Sequence, residues 1–494
     1  MLDFQTLLKK LGTGYVSNTA YDAAWVARLI DYDSALSNHT LEWLCEHQLP
    51  DGSWGVEKPN YYHDRIICTL AAMIALNFRG RRGFDKVQIE RGLIALSRMT
   101  DNATRELKAH NNPATVGFEV IVPTLVHQAE NLGIIKQQGD RILGKLATLR
   151  RAKMEKLAGI QISRLTTIAH SSEMAGTDNL FLFDRNNLQE TNGSVSNNPA
   201  ATAYFAMYVK PGDQNAINYL RNVTDMDGGV PSFAPFDILE RAWVIWNLLL
   251  TSEKDDPEIK ELCKPHINYL KKNWKSGQGL GFSAEYSLTD GDDTSIVQKI
   301  LLDSGDTPDI AALLHYEENT WFRCYHHEVN PSIDVNVHFL GVFRQLNYET
   351  SHPVIKKILG FIRSLQNEEG YWFDKWHASP YYTTSHAIMA CWKYDDDMCE
   401  KAVNWMLRSQ KEDGSWGFHD FSTAEETSYC IQALHAWHKY GKNVPKDKLK
   451  LARNWLLEHA EDPHVPLWID KSLYYPELVV QSVILSALSL VKDF

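Results

Sequence analysis

Trp43-Leu-Cys-Glu-His-Gln48-Leu-Pro-Asp51-Gly52-Ser53-Trp54-Gly55 and Trp405-Met-Leu-Arg-Ser-Gln410-Lys-Glu-Asp413-Gly414-Ser415-Trp416-Gly417 are two copies of one pattern within a chain of 494 residues. A third copy reads Phe361-Ile-Arg-Ser-Leu-Gln366-Asn-Glu-Glu-Gly370-Tyr371-Trp372, and a weaker one runs from Tyr219 to Asp227-Gly228-Gly229. Each copy closes one apolar-periodic segment, turns on a glycine and opens another. Glycine supplies the positive φ that such a turn needs. The glutamine can bond backbone groups left open at a helix end, and the tryptophan can cover them. A recurring helix–turn–helix unit buries its apolar face by stacking on its neighbours, so the repeats imply a ring or barrel of paired helices. The two best copies lie about 360 residues apart, which implies two barrels. Outside them, Ile238–Leu249 and Thr423–Trp437 carry apolar residues at i, i+3, i+4 and i+7, and strand signals are scarce. The sequence predicts an almost all-α protein.

Composition narrows the class of partner. Lys plus Arg is 50 and Asp plus Glu is 62, a formal net charge of −12. That balance argues against a nucleic-acid backbone or an anionic membrane surface as the main partner, and no basic run exceeds Arg79-Gly80-Arg81-Arg82. Seven cysteines without a CxxC pair fit a reducing compartment and exclude a disulfide scaffold or a cysteine-rich zinc site. The N-terminus lacks the basic and apolar regions of a signal peptide. The longest apolar stretches, near 66–76 and 479–491, are too short and too interrupted to span a bilayer. A soluble, cytoplasmic protein with no membrane span is expected.

The chemistry-bearing candidate is Asp290-Gly291-Asp292-Asp293-Thr294, just before the helix-like run Ser295–Leu302. One reading is a helix N-terminus, with Asp290 as the cap and acidic charge favoured by the helix dipole. The other is chemical. Carboxylates buried together cannot all ionise cheaply, because desolvation and like-charge repulsion raise at least one pKa. A neutral carboxylic acid in an apolar, aromatic pocket can protonate a carbon–carbon double bond.

The same stretch resembles the DxDD(T) motif of class II terpene cyclases, and the repeats resemble that superfamily's QW motifs. Ser17-Asn-Thr-Ala-Tyr21-Asp22-Ala-Ala-Trp25-Val-Ala27 is similar to the SAYDTAWVA signature of class II diterpene cyclases, and Gly117-Phe118-Glu119 to their GFE segment. Asn192–Ala203 and Gly228-Gly229-Val230-Pro231 resemble the next two blocks. The similarity runs in family order from about residue 10 to the C-terminus. It looks closest to bacterial two-domain enzymes of the halimadienyl (tuberculosinyl) diphosphate synthase kind, although those carry Thr where this chain has Asp293. The resemblance implies two α-helical double-barrel domains, called β and γ, with the active site between them. Residues 1–18 would begin the β domain, 19–212 would form an inserted γ domain, and 213–494 would complete the β domain with the DxDD motif. Asp292 would be the general acid, with Asp290 and Asp293 as its supporters. Geranylgeranyl diphosphate would become a bicyclic labdane-, halimane- or clerodane-type diphosphate with the diphosphate retained. A class I terpene synthase or a phosphatase would then act on that product. The sequence sets no oligomeric state.

Departures from the plant pattern bear on the remaining sites. Plant copalyl diphosphate synthases hold their terminating water with a His and an Asn. His170 lies in the matching block, while Ser232 stands where the Asn would be. The plant acidic stretch before the GFE segment is replaced by Lys108-Ala-His110-Asn111-Asn112, which leaves Glu119 as the candidate magnesium ligand. Mg²⁺ would anchor the diphosphate and not initiate the reaction. Arg150, Arg151, Lys153 and Lys156 form a basic segment able either to reach phosphates or to serve as a solvated helix face. A polyene cation needs walls that stabilise charge without attacking it. Trp372, Trp376, Tyr381, Tyr382, Trp468 and Tyr475 are the aromatic candidates, each also suited to ordinary core packing. Asp396-Asp397-Met-Cys-Glu400 imitates the class I DDxxD/E metal motif but has no downstream partner motif, so a solvated helix face is expected there. Two alternatives stay open: a class II cyclase of farnesyl diphosphate or a meroterpenoid precursor, and a prenyl-binding or protein-prenyltransferase-like α-barrel. The latter would want a zinc site of Asp, Cys and His.

Overall fold

In the computed structural model the glutamine and tryptophan of each repeat do a defined job at a helix end. The indole N–H of Trp54 donates to Leu44 O at 2.7 Å, that of Trp372 to Ile362 O at 2.9 Å, and that of Trp416 to Met406 O at 2.8 Å. Each closes a carbonyl that the preceding helix leaves open. Gln48 donates to both Gly52 O and Gln88 O, and Gln410 to both Gly414 O and Lys448 O, so one amide ties a turn to the following outer helix. The glycines are forced twice over. Gly52 has φ +93° and Gly414 φ +95°, and a Cβ would meet Arg91 O at 2.6 Å or the Leu451 backbone at 2.5 Å. The same device recurs at Gln189, which donates to Gly193 O at 3.0 Å.

The structure describes residues 3–78, 83–109, 113–136, 144, 146–156, 159–326, 328 and 330–494, with the backbone alone for 100–109 and 156. The basic run at 79–82 and the stretch 110–112 lie outside the described residues. Among the described residues six helices close an inner ring: Asp237–Leu249, Gly291–Asp303, Ile333–Gln345, Pro380–Cys391, Ala424–Lys439 and Glu477–Leu490, the last packing back on the first. Helices Pro257–Asn273, Pro353–Leu365, Asp396–Ser409 and Lys446–His459 pack outside it. They are amphipathic; Pro353–Leu365 turns Val354, Ile355, Ile358, Leu359 and Ile362 inward. Burying each such side chain is worth about 1.5–3 kcal/mol.

A smaller ring precedes it. Ala20–Val26, Tyr62–Phe78, Phe118–Asn131, Thr167–Ala175 and Pro199–Tyr204 contact one another in a closed cycle. All seven residues of Ala20–Val26 are buried, as an inner helix covered on every side must be. Ser34–Glu46, Gly83–Ala109 and Leu146–Lys156 pack outside this ring. Phe4–Lys10 packs on Pro257–Asn273 and Glu477–Leu490 of the larger ring. Just past the expected division at 212/213, Ala216, Ile217, Tyr219 and Leu220 share a core with Trp25 and Tyr204 of the smaller ring.

A hairpin of Trp468–Ile469 and Leu473–Tyr474 joins the rings. Its Asp470 O accepts from Val116 N at 2.8 Å, and its Leu473 N donates to Asp64 Oδ1 at 2.9 Å. Among the described residues no helix is long and apolar enough to cross a membrane.

Candidate active site

The acidic motif is both a cap and a carboxylate cluster. Asp290 caps the helix Gly291–Asp303, accepting from Asp293 N at 2.8 Å. Its own N–H donates to Leu280 O at 3.0 Å, and Gly291 N donates to Cys324 O at 2.9 Å, so the turn is pinned from two sides. Asp290 and Asp293 are buried, at 1% and 3% exposure. Burial, and then the neighbouring carboxylate charges, push Asp293 well above the usual carboxylate range; burial pushes Asp290 up to about 7. Desolvation and like charge together leave a proton in this pair. Asp292 differs from both, because its side chain is 18% exposed. It stands in the first helical turn, where the dipole stabilises a carboxylate after its proton has left.

His338, from the helix Ile333–Gln345, approaches Asp292 with Nδ1 at 2.6 Å from Oδ1. Its Nε2 lies 3.1 Å from Nδ1 of His386, on Pro380–Cys391. The two imidazoles sit among aromatic rings: Trp246 is edge-on to His386 at 4.6 Å between centroids, and Tyr382 lies 4.2 Å from it. Burial pushes His386 well below its ordinary value. Below the motif lies a second carboxyl pair. Asp334 accepts from Thr383 Oγ1 at 3.1 Å, and Asp374 accepts from Ser332 Oγ and Ile333 N. Burial raises both of these carboxyls. Aromatic faces line the way toward the hairpin: Trp243 donates to Tyr382 Oη at 3.1 Å, and Trp468 to Glu425 Oε1 at 2.8 Å.

Comparisons with known proteins agree with this geometry. A family described as the squalene-hopene cyclase C-terminal domain matches residues 326–433. The structure is similar to that of an ent-copalyl diphosphate synthase from Streptomyces platensis, with a TM-score of 0.78 and 26% identity over 99% of this chain and 98% of that one. The sequence is 27% identical to a (+)-kolavenyl diphosphate synthase of Herpetosiphon aurantiacus over 98% of this chain and 96% of the relative. It is 46% identical to a type B diterpene cyclase of Mycobacterium tuberculosis, covering 100% of this chain and 99% of that protein. The chain belongs to the class II diterpene cyclases.

The cyclase brings some of the expected residues together and disperses others. His170 lies across the ring junction from the acid, with Nε2 2.8 Å from Asp470 Oδ1. Ser232 Oγ donates to Asp470 Oδ2 at 2.7 Å, so the serine in place of the plant Asn joins the same cluster. Burial opposes ionisation of Asp470, but the charge and hydrogen bond of His170, with Lys471, hold it below its ordinary value. The hydroxyls of Tyr286 and Tyr474, within electrostatic reach of both carboxylate sites, are pushed up by burial first and remain neutral phenols.

Tyr382 lies beside His386, and Trp468 packs on Tyr382 with the rings 5.3 Å apart. Trp372 serves the repeat turn, and Tyr381 stacks on Trp405 at 4.9 Å. Trp376 is half-buried under Lys375 Nζ. Tyr475 lines an outer groove with Tyr15, Trp43 and Asp227. Glu119 Oε1 accepts from Lys153 Nζ, so the expected metal ligand and an expected phosphate ligand are already paired. Among the described residues no group of three or more His, Cys, Asp or Glu is placed to hold a metal ion. The Glu119–Lys153 pair therefore does not form a metal cage by itself. Arg150 bonds Thr124 Oγ1 and Met174 O, Arg151 is exposed, and the Lys156 side chain lies outside the described residues. Asp396, of the class I look-alike, pairs with Lys442 at the surface.

Sequence reasoning missed His338, His386, Asp334, Asp374 and Asp470. A signal existed for two of these: Asp334 and His338, four apart on one helical run, share a face.

Proposed function

We propose that this cyclase protonates the terminal double bond of geranylgeranyl diphosphate and closes it to a bicyclic diphosphate. The observation that carries this reading is Asp292: one carboxylate oxygen is held by His338, and the side chain alone of its motif keeps some exposure. In the initiating step the Asp292 O–H bond breaks, a C–H bond forms and the tertiary cation is captured by the next double bond. Loss of a proton from the final cation ends the reaction, so the product is an isomer of the substrate. Copalyl and kolavenyl diphosphate synthase relatives support a bicyclic diphosphate product.

Incubation with geranylgeranyl diphosphate and Mg²⁺, followed by phosphatase treatment and product identification, tests the reading. A bicyclic alcohol after dephosphorylation is expected; stoichiometric inorganic pyrophosphate would show ionisation chemistry and overturn it. Mg²⁺ enters the proposal only as a counter-ion of the diphosphate, with Glu119 as the carboxylate at hand and Lys153 freed for phosphate oxygens. Chelation with EDTA is accordingly expected to raise KM while leaving measurable turnover; complete loss of kcat at saturating substrate would contradict that place for the metal. Seven cysteines without a CxxC pair support a cytoplasmic setting. A class I terpene synthase or a phosphatase would consume the retained diphosphate.

Termination belongs to the His170–Asp470–Ser232 cluster in this proposal. His170→Phe breaks the hydrogen-bonded cluster that takes the last proton, so hydride and methyl shifts gain time to compete. A change in product profile toward rearranged skeletons or a water-quenched alcohol is expected by gas chromatography of the dephosphorylated products. The same products at the same rate would remove His170 from the site.

A further inference from the structure

Both nitrogens of His338 are engaged, and only one arrangement of protons leaves Asp292 able to act on a substrate. A carboxylic acid keeps its proton on one oxygen. If His338 carries its proton on Nδ1, it donates to Asp292 Oδ1 across the 2.6 Å contact, and the acid's proton resides on Oδ2. If His338 carries it on Nε2, the bare Nδ1 must be satisfied by an acid proton on Oδ1, turned toward the imidazole and away from the substrate. The tautomer of one histidine thus decides which oxygen of the acid is loaded. The hydrogen bond made by the other ring nitrogen sets that tautomer.

That second bond is to His386, with Nε2 of His338 and Nδ1 of His386 3.1 Å apart and one proton shared between them. The other nitrogen of His386, Nε2, is buried and has no hydrogen-bond partner among the described residues. Buried N–H groups are rarely left orphaned, and a bare acceptor is the lesser cost. The lone His386 proton therefore sits on Nδ1 and is donated to His338 Nε2. The surroundings of His386 are consistent with a neutral ring: burial opposes its charge, Lys299 adds a nearby cation, and Trp246, Tyr382 and Tyr429 supply aromatic surface.

We infer that His386 is a positioning residue that holds His338 in its Nδ1–H tautomer and so keeps the reactive proton of Asp292 on Oδ2. This rests on the proposed role of Asp292 as the acid. The chain of donors runs one way, from His386 Nδ1–H to His338 Nε2, then from His338 Nδ1–H to Asp292 Oδ1. His386, 2% exposed, acts through His338.

The test compares wild type with His386→Phe, which keeps a ring but no donor, and His386→Asn, whose amide N–H can occupy the place of Nδ1. Two-bond proton–nitrogen spectra of histidine-labelled protein read the His338 tautomer without substrate, with His338→Gln supplying the assignment. Nδ1–H is expected in wild type and in His386→Asn, with the Nε2–H form appearing in His386→Phe. In kinetics with geranylgeranyl diphosphate, His386→Phe should lose at least about tenfold in kcat, with KM changed less than about twofold, and His386→Asn should recover most of it; a wrong tautomer in a hydrolase triad costs up to about 10⁴. An Nε2–H His338 in wild type overturns the inference whether or not the protein turns over. So does a His386→Phe variant with wild-type kcat, or a His386→Asn variant as slow as His386→Phe. Nδ1–H in wild type without any cyclisation would instead remove the proposed function and leave the tautomer assignment standing.

Discussion

Asp292→Asn is expected to lower turnover by at least about 10²-fold while the variant melts with wild type, since removing a general acid costs about 10²–10⁴. The amide has the shape of the acid, and its carbonyl oxygen can still accept from His338 at the position of Oδ1, so packing around the motif is preserved. What it lacks is a proton that carbon can take. Its two neighbours should behave differently. Asp290 works as a helix cap, and asparagine caps nearly as well. Asp293 is the member that burial and neighbouring charge keep protonated, and an amide N–H can replace its donation. Asp290→Asn and Asp293→Asn are therefore expected to be slower than wild type but faster than Asp292→Asn. The measurement is the rate of bicyclic product formation, detected after dephosphorylation. An Asp292→Asn variant retaining about a tenth of wild-type rate would transfer the acid's role to another group.

The parts legible in the sequence are those whose physics is local. A QW repeat spends its glutamine and tryptophan within a few residues, so its spacing announces a helix end before any tertiary contact is known. Trp372 occupies the repeat position of Trp54 and Trp416, and the repeat itself held the signal that its indole would be used on a helix carbonyl. The Asp290–Thr294 motif is likewise contiguous. The histidines are not local: His338 is 46 residues from Asp292, and His386 a further 48. They become partners only because three neighbouring inner helices pack side by side as the ring closes. His170 and Asp470 are 300 residues apart, one in the smaller ring and the other in the hairpin, so neither carries its meaning alone. Tyr381 and Tyr382 make the same point in miniature. Adjacent on one helix, they point to different sides, one onto Trp405 and the other beside His386.

Lys471→Met is expected to be the most damaging single change to the fold outside the two cores. Lys471 and Glu173 form an ion pair at 2.6 Å with both side chains at 0% exposure, one from the hairpin and the other from the smaller ring. The ammonium also donates to Asn198 Oδ1 at 2.7 Å, and Tyr21 Oη donates to the same Glu173 oxygen at 2.8 Å. Asp22, one residue on, is pushed up to about 8 by burial, against the opposing pull of Lys471. Much of the Tyr21–Trp25 signature is thus spent on seating this one lysine between the rings. Removing one member of a buried pair strands the other, at a cost of about 3–5 kcal/mol, whereas removing both is often nearly neutral. Urea denaturation should therefore show Lys471→Met destabilised by about that amount, and the double variant Lys471→Met, Glu173→Gln should recover most of it. A loss under about 1 kcal/mol for the single variant would place the pair among exposed ones, where water screens the charges. Because Lys471 is the immediate neighbour of Asp470, the single variant should also loosen the contact between Asp470 and His170. A shifted product profile in the single variant, corrected in the double one, would tie the docking of the rings to how the cation is quenched.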